Sequence, residues 1–167
     1  MQMPTKAFWV KASIALLIIF SFGWSFQSRY RIGIDTQSTL SMTNRVFLID
    51  IKDQEIKRDK NYVFVVTKAL PIYDQGTELI KRVVGLPGDT VSIDEDFNIL
   101  VNHHVVAKGL WHLKEIDQKV VQERFVGSRV LAPDEFWVMG LSEKSFDSRY
   151  FGPIHADQIK GRAYGLF

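Results

Sequence analysis

The segment from Ala7 to Phe26 limits what this chain can fold into more than any other feature. It is 20 residues long and carries one charge, Lys11, while Trp9 and Trp24 stand near its two ends. A segment of this length crosses the hydrocarbon core of a bilayer as a helix, and indole rings favour the membrane interfaces. It exceeds the apolar part of a cleavable leader, and no small-x-small cleavage site follows it. The sequence therefore predicts an uncleaved membrane anchor.

The charges around the anchor leave its orientation open. Lys6, Lys11 and the amino terminus lie towards one side, and Arg29 and Arg31 lie on the other. The two sides therefore carry nearly equal numbers of positive charges, and the positive-inside rule does not decide which side is cytoplasmic. The predicted organisation is a tail over residues 1–6, the anchor over 7–26, an exposed tether over 27–35 and one domain over 36–167.

Short β-branched and aromatic stretches fill the chain behind the anchor, and turn residues such as Pro87-Gly88-Asp89 separate them. This alternation predicts a mostly β domain of antiparallel strands, either a barrel or a sandwich of two packed sheets. The stretch 115–123 fits a short helix or a polar hairpin equally well. The predicted strands are residues 45–51, 61–67, 81–84, 90–93, 98–101 and 136–139.

Composition excludes several classes of function. The net charge is +2, from 21 basic and 19 acidic residues without a basic stripe, so no nucleic-acid partner is expected. The absence of cysteine excludes disulfides, thiolate zinc sites and a cysteine nucleophile. His103 and His104 have no cysteine or carboxylate at ligand spacing, so no metal site is expected.

Lys81 is the most informative polar residue of the domain. Side chains alternate between the faces of a strand, so Leu79, Lys81 and Val83 are predicted to point the same way. Loss of hydration between apolar neighbours lowers the pKa of a lysine, and a neutral amine can take a proton from a serine hydroxyl. Ser41 lies upstream and is the candidate serine. The alternative is an ordinary lysine on a solvated strand face.

Three motifs occur in a fixed order: Thr39-Leu40-Ser41-Met42, the run KRVVGLPGD over residues 81–89, and Gly140 followed by Ser145 and the run DSRYFG over 147–152. With these motifs the chain resembles the type I signal peptidase family (peptidase family S26), serine proteases that use a Ser/Lys dyad. The likeness covers the anchor and the whole domain, and residues 159–163 resemble the family's final strand. It implies a signal-peptidase-like β fold behind one transmembrane helix and a protease without a cofactor.

The resemblance assigns catalytic roles residue by residue. It implies that Ser41 is the nucleophile and Lys81 the general base, because serine is a weak nucleophile until a base removes its proton. It implies that the hydroxyl of Thr39 helps the Ser41 backbone N–H to bind the oxyanion, which needs donors aimed at it. It implies that Ser145 orients the lysine amine.

The resemblance also assigns supporting residues. Asp147 and Arg149 would form an ion pair that braces the loop around the dyad. As an isolated pattern, two such residues are more often a weak surface pair. A shallow apolar groove near Met42 and Leu79 would bind an extended substrate by strand addition.

Two departures from the family pattern stand near these residues. Thr43-Asn44-Arg45 follows Met42 where many members have proline, and Gly140-Leu141-Ser142 replaces a Gly-Asp-Asn run. A degenerate groove leaves open a non-catalytic role, as a membrane-tethered β domain in a secretion or conjugation assembly. The small size and the T-x-S motif before a short Arg-Val-Phe strand resemble the conjugative-transfer (TraF-type) subgroup, whose substrate is often a pilin precursor.

The function implied by the resemblance is that of a membrane-bound serine endopeptidase that removes leader peptides from exported precursors. The expected partners are signal-peptide-bearing precursors and membrane lipid, and small residues are expected at the first and third positions before the cut. The expected location is the inner membrane, with the amino terminus in the cytoplasm and the domain on the periplasmic side. Transpeptidation of the acyl-enzyme, giving a cyclic product, is left open.

Overall fold

A computed structural model of the chain describes residues 5–35, 41–114 and 118–167, apart from the side chains of residues 118 and 124. Its first element is helix α1, Lys6–Gln27, whose N-cap Thr5 accepts a hydrogen bond from the backbone of Phe8 at 3.3 Å. The helix has 22 residues, a mean hydropathy of 1.7 in its most apolar window and no buried residue in that window. The predicted helix is therefore present, and it is long and apolar enough to cross a membrane.

Eleven strands form the framework of the described domain, and four of the six predicted strands keep their bounds to within a residue at each end. Two further helices, α2 (Gln118–Phe125) and α3 (Ser148–Phe151), interrupt them. The strands are β1 (Tyr30–Ile34), β2 (Val46–Asp50), β3 (Asn61–Val65), β4 (Glu78–Gly85), β5 (Thr90–Ile93), β6 (Asn98–Val101), β7 (His104–Lys108), β8 (Gly127–Val130), β9 (Glu135–Met139), β10 (Ile154–His155) and β11 (Ile159–Gly165).

The strands form two sheets. The larger has seven strands in the order β1-β2-β11-β3-β4-β9-β10, and the smaller has four in the order β7-β6-β5-β8. Each printed strand pair is antiparallel. The last strand, β11, inserts between β2 and β3, so the end of the chain completes the middle of the larger sheet. The prediction of a mostly β, antiparallel domain behind one apolar helix is confirmed.

The larger sheet curls until its first strand faces β4. Arg31 on β1 contacts Glu78 on β4 with an N–O distance of 3.3 Å, although three strands separate β1 from β4 in the sheet order. A Cβ placed on Gly33 would lie 3.5 Å from Cδ1 of Ile80. The curl leaves a cleft between the end of β1 and β4, and the candidate site lies there.

The segment after helix α1 differs from the predicted tether. Residues 30–34 form strand β1, whose backbone pairs with β2 from Tyr30 opposite Asp50 to Ile34 opposite Val46. The charged residues of this segment suggested a solvated linker and hid the period-two pattern of Tyr30, Ile32 and Ile34. The guanidinium of Arg29 also holds buried Asp50 by hydrogen bonds of 2.7 and 2.9 Å, and it keeps the pKa of Asp50 below its ordinary value.

The stretch that the sequence left undecided is helical where the structure describes it, because α2 covers residues 118–125. Residues 115–117 lie outside the described part. Strands β7, β8 and β10 were not predicted. β7 and β8 are largely exposed, so they lack the apolar alternation on which the prediction relied.

Gly161 lies in strand β11 where the strand packs closely against β2, and a side chain at this position should destabilise the fold. Its φ is 149°, and an added Cβ would overlap the carbonyl oxygen of Asp50 and lie 2.8 Å from Cα of Ile51. We expect Gly161→Ala to lower the free energy of unfolding by about 2–4 kcal/mol, through backbone strain and overpacking together. Urea denaturation monitored by tryptophan fluorescence measures this change.

Gly76→Ala is the matched control, because φ at Gly76 is 90° and no atom lies within 4 Å of an added Cβ. This variant should lose only the strain, about 1–2 kcal/mol. Equal losses of unfolding free energy in the two variants would show that the close contact of Gly161 with β2 adds nothing to the cost of Gly161→Ala.

Candidate active site

Strand β4 positions Lys81 on the buried face of the sheet. Exposure alternates along the strand: Leu79, Lys81 and Val83 are 4%, 1% and 0% exposed, while Ile80 and Arg82 between them are half-buried. This matches the alternation expected of a strand with one covered face. The amine of Lys81 donates a hydrogen bond of 2.9 Å to Oγ of Ser145.

Burial changes the acid–base character of Lys81. Desolvation lowers the pKa of the amine from 10.5 to about 8, against the opposing fields of Asp147 and Asp35, while Arg149 lowers it slightly further. Burial disfavours the charged form of an amine that has no carboxylate in direct contact. At pH 7 an amine with this pKa is about one-tenth neutral, compared with less than about one-thousandth for an ordinary lysine.

Ser41 lies beside this amine, on the other side of Gly140. Its carbonyl oxygen accepts a hydrogen bond of 2.7 Å from the backbone of Leu141, and the residue is 6% exposed. A Cβ on Gly140 would overlap the side chain of Ser145 and lie 2.8 Å from the carbonyl oxygen of Ser41. Only a glycine at position 140 therefore allows Ser41 to pack this closely against Ser145, which accepts the hydrogen bond from Lys81.

The hydroxyl of Ser41 is not hydrogen-bonded to the Lys81 amine in the part of the chain that the structure describes, where the amine donates to Ser145. Both residues line the same cavity. In ligand-free enzymes the catalytic hydrogen bonds are often long and tighten when substrate binds, so this geometry is compatible with a dyad.

A buried ion pair holds the loop that carries Ser145. Asp147 and Arg149 are 0% and 2% exposed, and two parallel hydrogen bonds of 2.8 Å join the carboxylate to the guanidinium. Arg149 also donates to the carbonyls of Ser142 and Ser145, at 3.2 and 3.1 Å. Loss of one partner from such a pair typically costs about 3–5 kcal/mol, because a buried charge remains.

The same loop is tied to strand β9. The carboxylate of Asp147 accepts a hydrogen bond of 2.9 Å from the backbone of Gly140, and Oγ of Ser148 accepts one of 2.9 Å from the backbone of Val138. Sheet, loop and Ser145 therefore form one rigid unit around the amine. The pair is not the weak surface contact that two charges at this spacing usually form.

A cavity of about 310 Å³ opens between β1 and β4 next to Ser41 and Lys81. Its wall includes Leu79, one of the two predicted groove residues. The other, Met42, packs in a core cluster with Ile49 and Val63, which also line the cavity. Among the described residues, the lining consists of Gly33, Ile34, Asp35, Ser41, Ile49, Val63, Thr77, Glu78, Leu79, Ile80 and Lys81.

The structure thus brings Ser41, Lys81 and Ser145 together and places Asp147 with Arg149 behind them. Thr39 lies outside the described residues. The sequence reasoning did not single out Asp35, which lines the cavity, or Ser148, which fixes the loop. Asp35 stands six residues before Ser41, and its assignment to a tether concealed it.

Comparison with known proteins gives the family of the chain. The family described as "Signal peptidase, peptidase S26" matches residues 6–167. A probable signal peptidase I-2 from Synechocystis sp. is 26% identical over 152 residues, which is 84% of this chain and 62% of that protein. Signal peptidase I V from Bacillus subtilis is 36% identical over 91 residues, which is 50% of this chain and 54% of that protein.

Signal peptidase I from Bacillus caldolyticus is 32% identical over 95 residues, 51% of this chain and 50% of that protein. The chain therefore spans about half to three-fifths of the length of these relatives. A crystal structure of a signal peptidase I from Enterococcus faecalis aligns with a TM-score of 0.42 and 19% identity, covering 70% of this chain and 100% of that one. Because the family match runs from the first residue of helix α1 to residue 167, the chain belongs to the signal peptidase family, peptidase S26.

Proposed function

We propose that the chain is a membrane-anchored serine endopeptidase that removes leader peptides from exported precursors. The observation that carries this proposal is the buried amine of Lys81, which has a pKa of about 8 and shares a cavity with Ser41. A serine hydroxyl needs a base that is unprotonated at working pH, and this amine meets that need without a histidine. The family match and the names of the relatives support the same activity.

In this mechanism the neutral amine of Lys81 takes the proton from Oγ of Ser41 as the oxygen attacks the scissile carbonyl. The protonated amine then gives the proton to the departing amine, leaving an acyl-enzyme on Ser41. A water molecule, deprotonated by the same lysine, releases the acyl group. Ser145 orients the lysine throughout, and the backbone N–H of Ser41 with the hydroxyl of Thr39 binds the oxyanion.

The proposal also includes a place in the cell. Helix α1 would cross the inner membrane once, with the amino terminus in the cytoplasm and the domain on the periplasmic side. Membrane lipid and precursors that carry leader peptides would be its partners. The family's membrane anchoring and the apolar helix α1 support this arrangement.

Within the family, we propose that the chain acts in conjugative transfer, in the TraF-type subgroup, on a pilin precursor. The Thr39-Leu40-Ser41 motif before strand β2 supports this assignment. Mass spectrometry of the mature substrate tests how the acyl-enzyme is resolved. A product lighter by one water than the linear form would indicate attack by an amine, whereas a linear product indicates hydrolysis.

Substitution of the dyad is the direct test of the mechanism. We expect Ser41→Ala to lower kcat by about 10⁴-fold or more and Lys81→Met by about 10²- to 10⁴-fold, because one variant lacks the nucleophile and the other the base. Cleavage of a precursor by the full chain in detergent measures both effects.

Ser128→Ala and Lys60→Met are matched controls, since both residues are exposed and lie outside the cavity lining. They should keep full activity. Full processing by either dyad variant contradicts the mechanism. If the unaltered chain cleaves no precursor but co-purifies with transfer proteins, the non-catalytic role is the correct one.

The pKa of Lys81 sets the pH dependence of cleavage. The active form is the neutral amine, so kcat/KM should increase about tenfold per pH unit below pH 8 and level off above it. At pH 6 the rate should be about one-hundredth of the plateau. A profile of kcat/KM from pH 5.5 to 9.5 with an uncharged peptide substrate measures this dependence, and a flat profile with chemistry rate-limiting would rule out Lys81 as the base.

A further inference from the structure

Two sets of contacts hold the loop that carries Ser145. The first is the buried pair of Asp147 and Arg149, together with the hydrogen bonds that tie the loop to strand β9. The second comes from a single 3₁₀ turn, Trp111–Leu113, which follows strand β7. The middle residue of this turn, His112, contacts the loop through its ring and through its backbone.

A hydrogen bond joins the ring of His112 to the backbone of the loop. Its Nε2 lies 2.9 Å from the carbonyl oxygen of Lys144, the residue directly before Ser145. A carbonyl oxygen only accepts, so Nε2 carries the hydrogen. It carries one in the neutral Nε2–H tautomer and in the charged ring alike. The hydrogen bond therefore persists whether or not His112 is charged.

Aromatic rings extend the contact to the other chain neighbour of Ser145. The rings of His112 and Phe146 lie edge to face with their centres 5.5 Å apart, and Phe146 directly follows Ser145. Tyr150 stacks on Phe146 at 4.9 Å, and its hydroxyl accepts a hydrogen bond of 3.3 Å from the backbone N–H of His112. His112 therefore holds the loop on both sides of Ser145, the residue to which Lys81 donates.

A second residue of the turn holds the same loop. Two ammonium groups lie over the ring of Trp111, that of Lys114 at 4.1 Å and that of Lys144 at 4.8 Å from the ring centre. The ring quadrupole of an indole attracts such cations. Lys144 is thus bound to the turn by its ammonium group and by its carbonyl oxygen. Movement of the loop away from the turn would break both contacts.

We infer that His112 is a positioning residue of the peptidase site, which holds the loop so that Ser145 keeps the amine of Lys81 oriented and shielded from water. This inference rests on the proposed peptidase function. His112 is not among the described residues that line the cavity, so it acts through Ser145 and not on the substrate. Without its contacts the loop would loosen, water would reach the amine, and hydration would stabilise the ammonium form.

The pH profile of cleavage tests this inference, because its midpoint reports the Lys81 amine and does not depend on the amount of folded enzyme. We expect His112→Ala to raise the midpoint of kcat/KM by at least about half a pH unit above the value near 8 of the unaltered chain. At pH 7, kcat/KM should fall about three- to tenfold, with KM within about twofold because the cavity is unaltered.

The measurement uses the full chain in detergent, from pH 6 to about 10.5, the pH range in which a lysine amine with a lowered or an ordinary pKa titrates. The probe is an uncharged, internally quenched peptide with an apolar segment and alanine at the first and third positions before the cut.

Two further variants identify the contact that matters. His112→Gln keeps an amide N–H donor in place of the ring Nε2–H, so it should reverse at least about half of the shift in the midpoint. His104→Ala is the matched control, since it makes the same change at an exposed histidine of strand β7, and it should keep the profile of the unaltered chain. The charges of Asp147, Asp35 and Arg149, which act on the amine, remain in all of these variants.

The outcomes separate this inference from the function on which it rests. A midpoint that does not rise in His112→Ala, or one that is as high in His112→Gln as in His112→Ala, overturns the positioning role and leaves the peptidase intact. Failure of the unaltered chain to cleave any precursor peptide, or full cleavage by Ser41→Ala, overturns the proposed function and this inference with it.

Discussion

The unfavourable desolvation of one ammonium group is the constraint on which the site depends. Lys81 is 1% exposed between two apolar neighbours, and its hydrogen-bond partner in the described part of the chain is the neutral hydroxyl of Ser145. A buried charge without a carboxylate in contact is expensive, so the amine is stabilised in its neutral form near neutral pH. The strand provides the burial, and the loop behind it provides the hydroxyl of Ser145 that accepts from the amine.

The charges around Lys81 determine how far burial lowers the pKa of its amine. Asp147 would favour the protonated amine strongly if its charge were uncompensated, but Arg149 and two backbone N–H groups share that carboxylate. The ion pair therefore has two effects: it fixes the loop that carries Ser145, and it weakens the field that Asp147 exerts on Lys81. Asp35 acts in the same direction as Asp147 from the opposite wall of the cavity. A pKa of about 8 is the balance of burial against these two carboxylates.

The sequence predicted those parts of the fold in which local pattern and burial agree. Strands β3, β4, β5, β6 and β9 carry regular apolar residues, and the apolar helix α1 needs no tertiary contact to be recognised. β1 was missed because its charged residues suggest a linker, and its structure depends on pairing with β2, which no local pattern reveals. In the site, the resemblance carried by the ordered motifs predicted Ser41, Lys81 and Ser145, which the structure brings together. Asp35 escaped notice because only the curl of the sheet brings it opposite β4.

Strand β1 also connects helix α1 to the cavity that Ser41 lines. Helix α1 ends at Gln27, β1 starts at Tyr30, and Ser41 follows the strand by seven residues. Because β1 is paired along its length and Arg29 is held by Asp50, a fixed strand of about 17 Å connects the region of helix α1 to the cavity wall at Gly33 and Ile34. For a helix that spans the bilayer, this path keeps the cavity close to the membrane surface. Under the proposed function, a precursor still held by its apolar leader would meet the site without leaving the membrane.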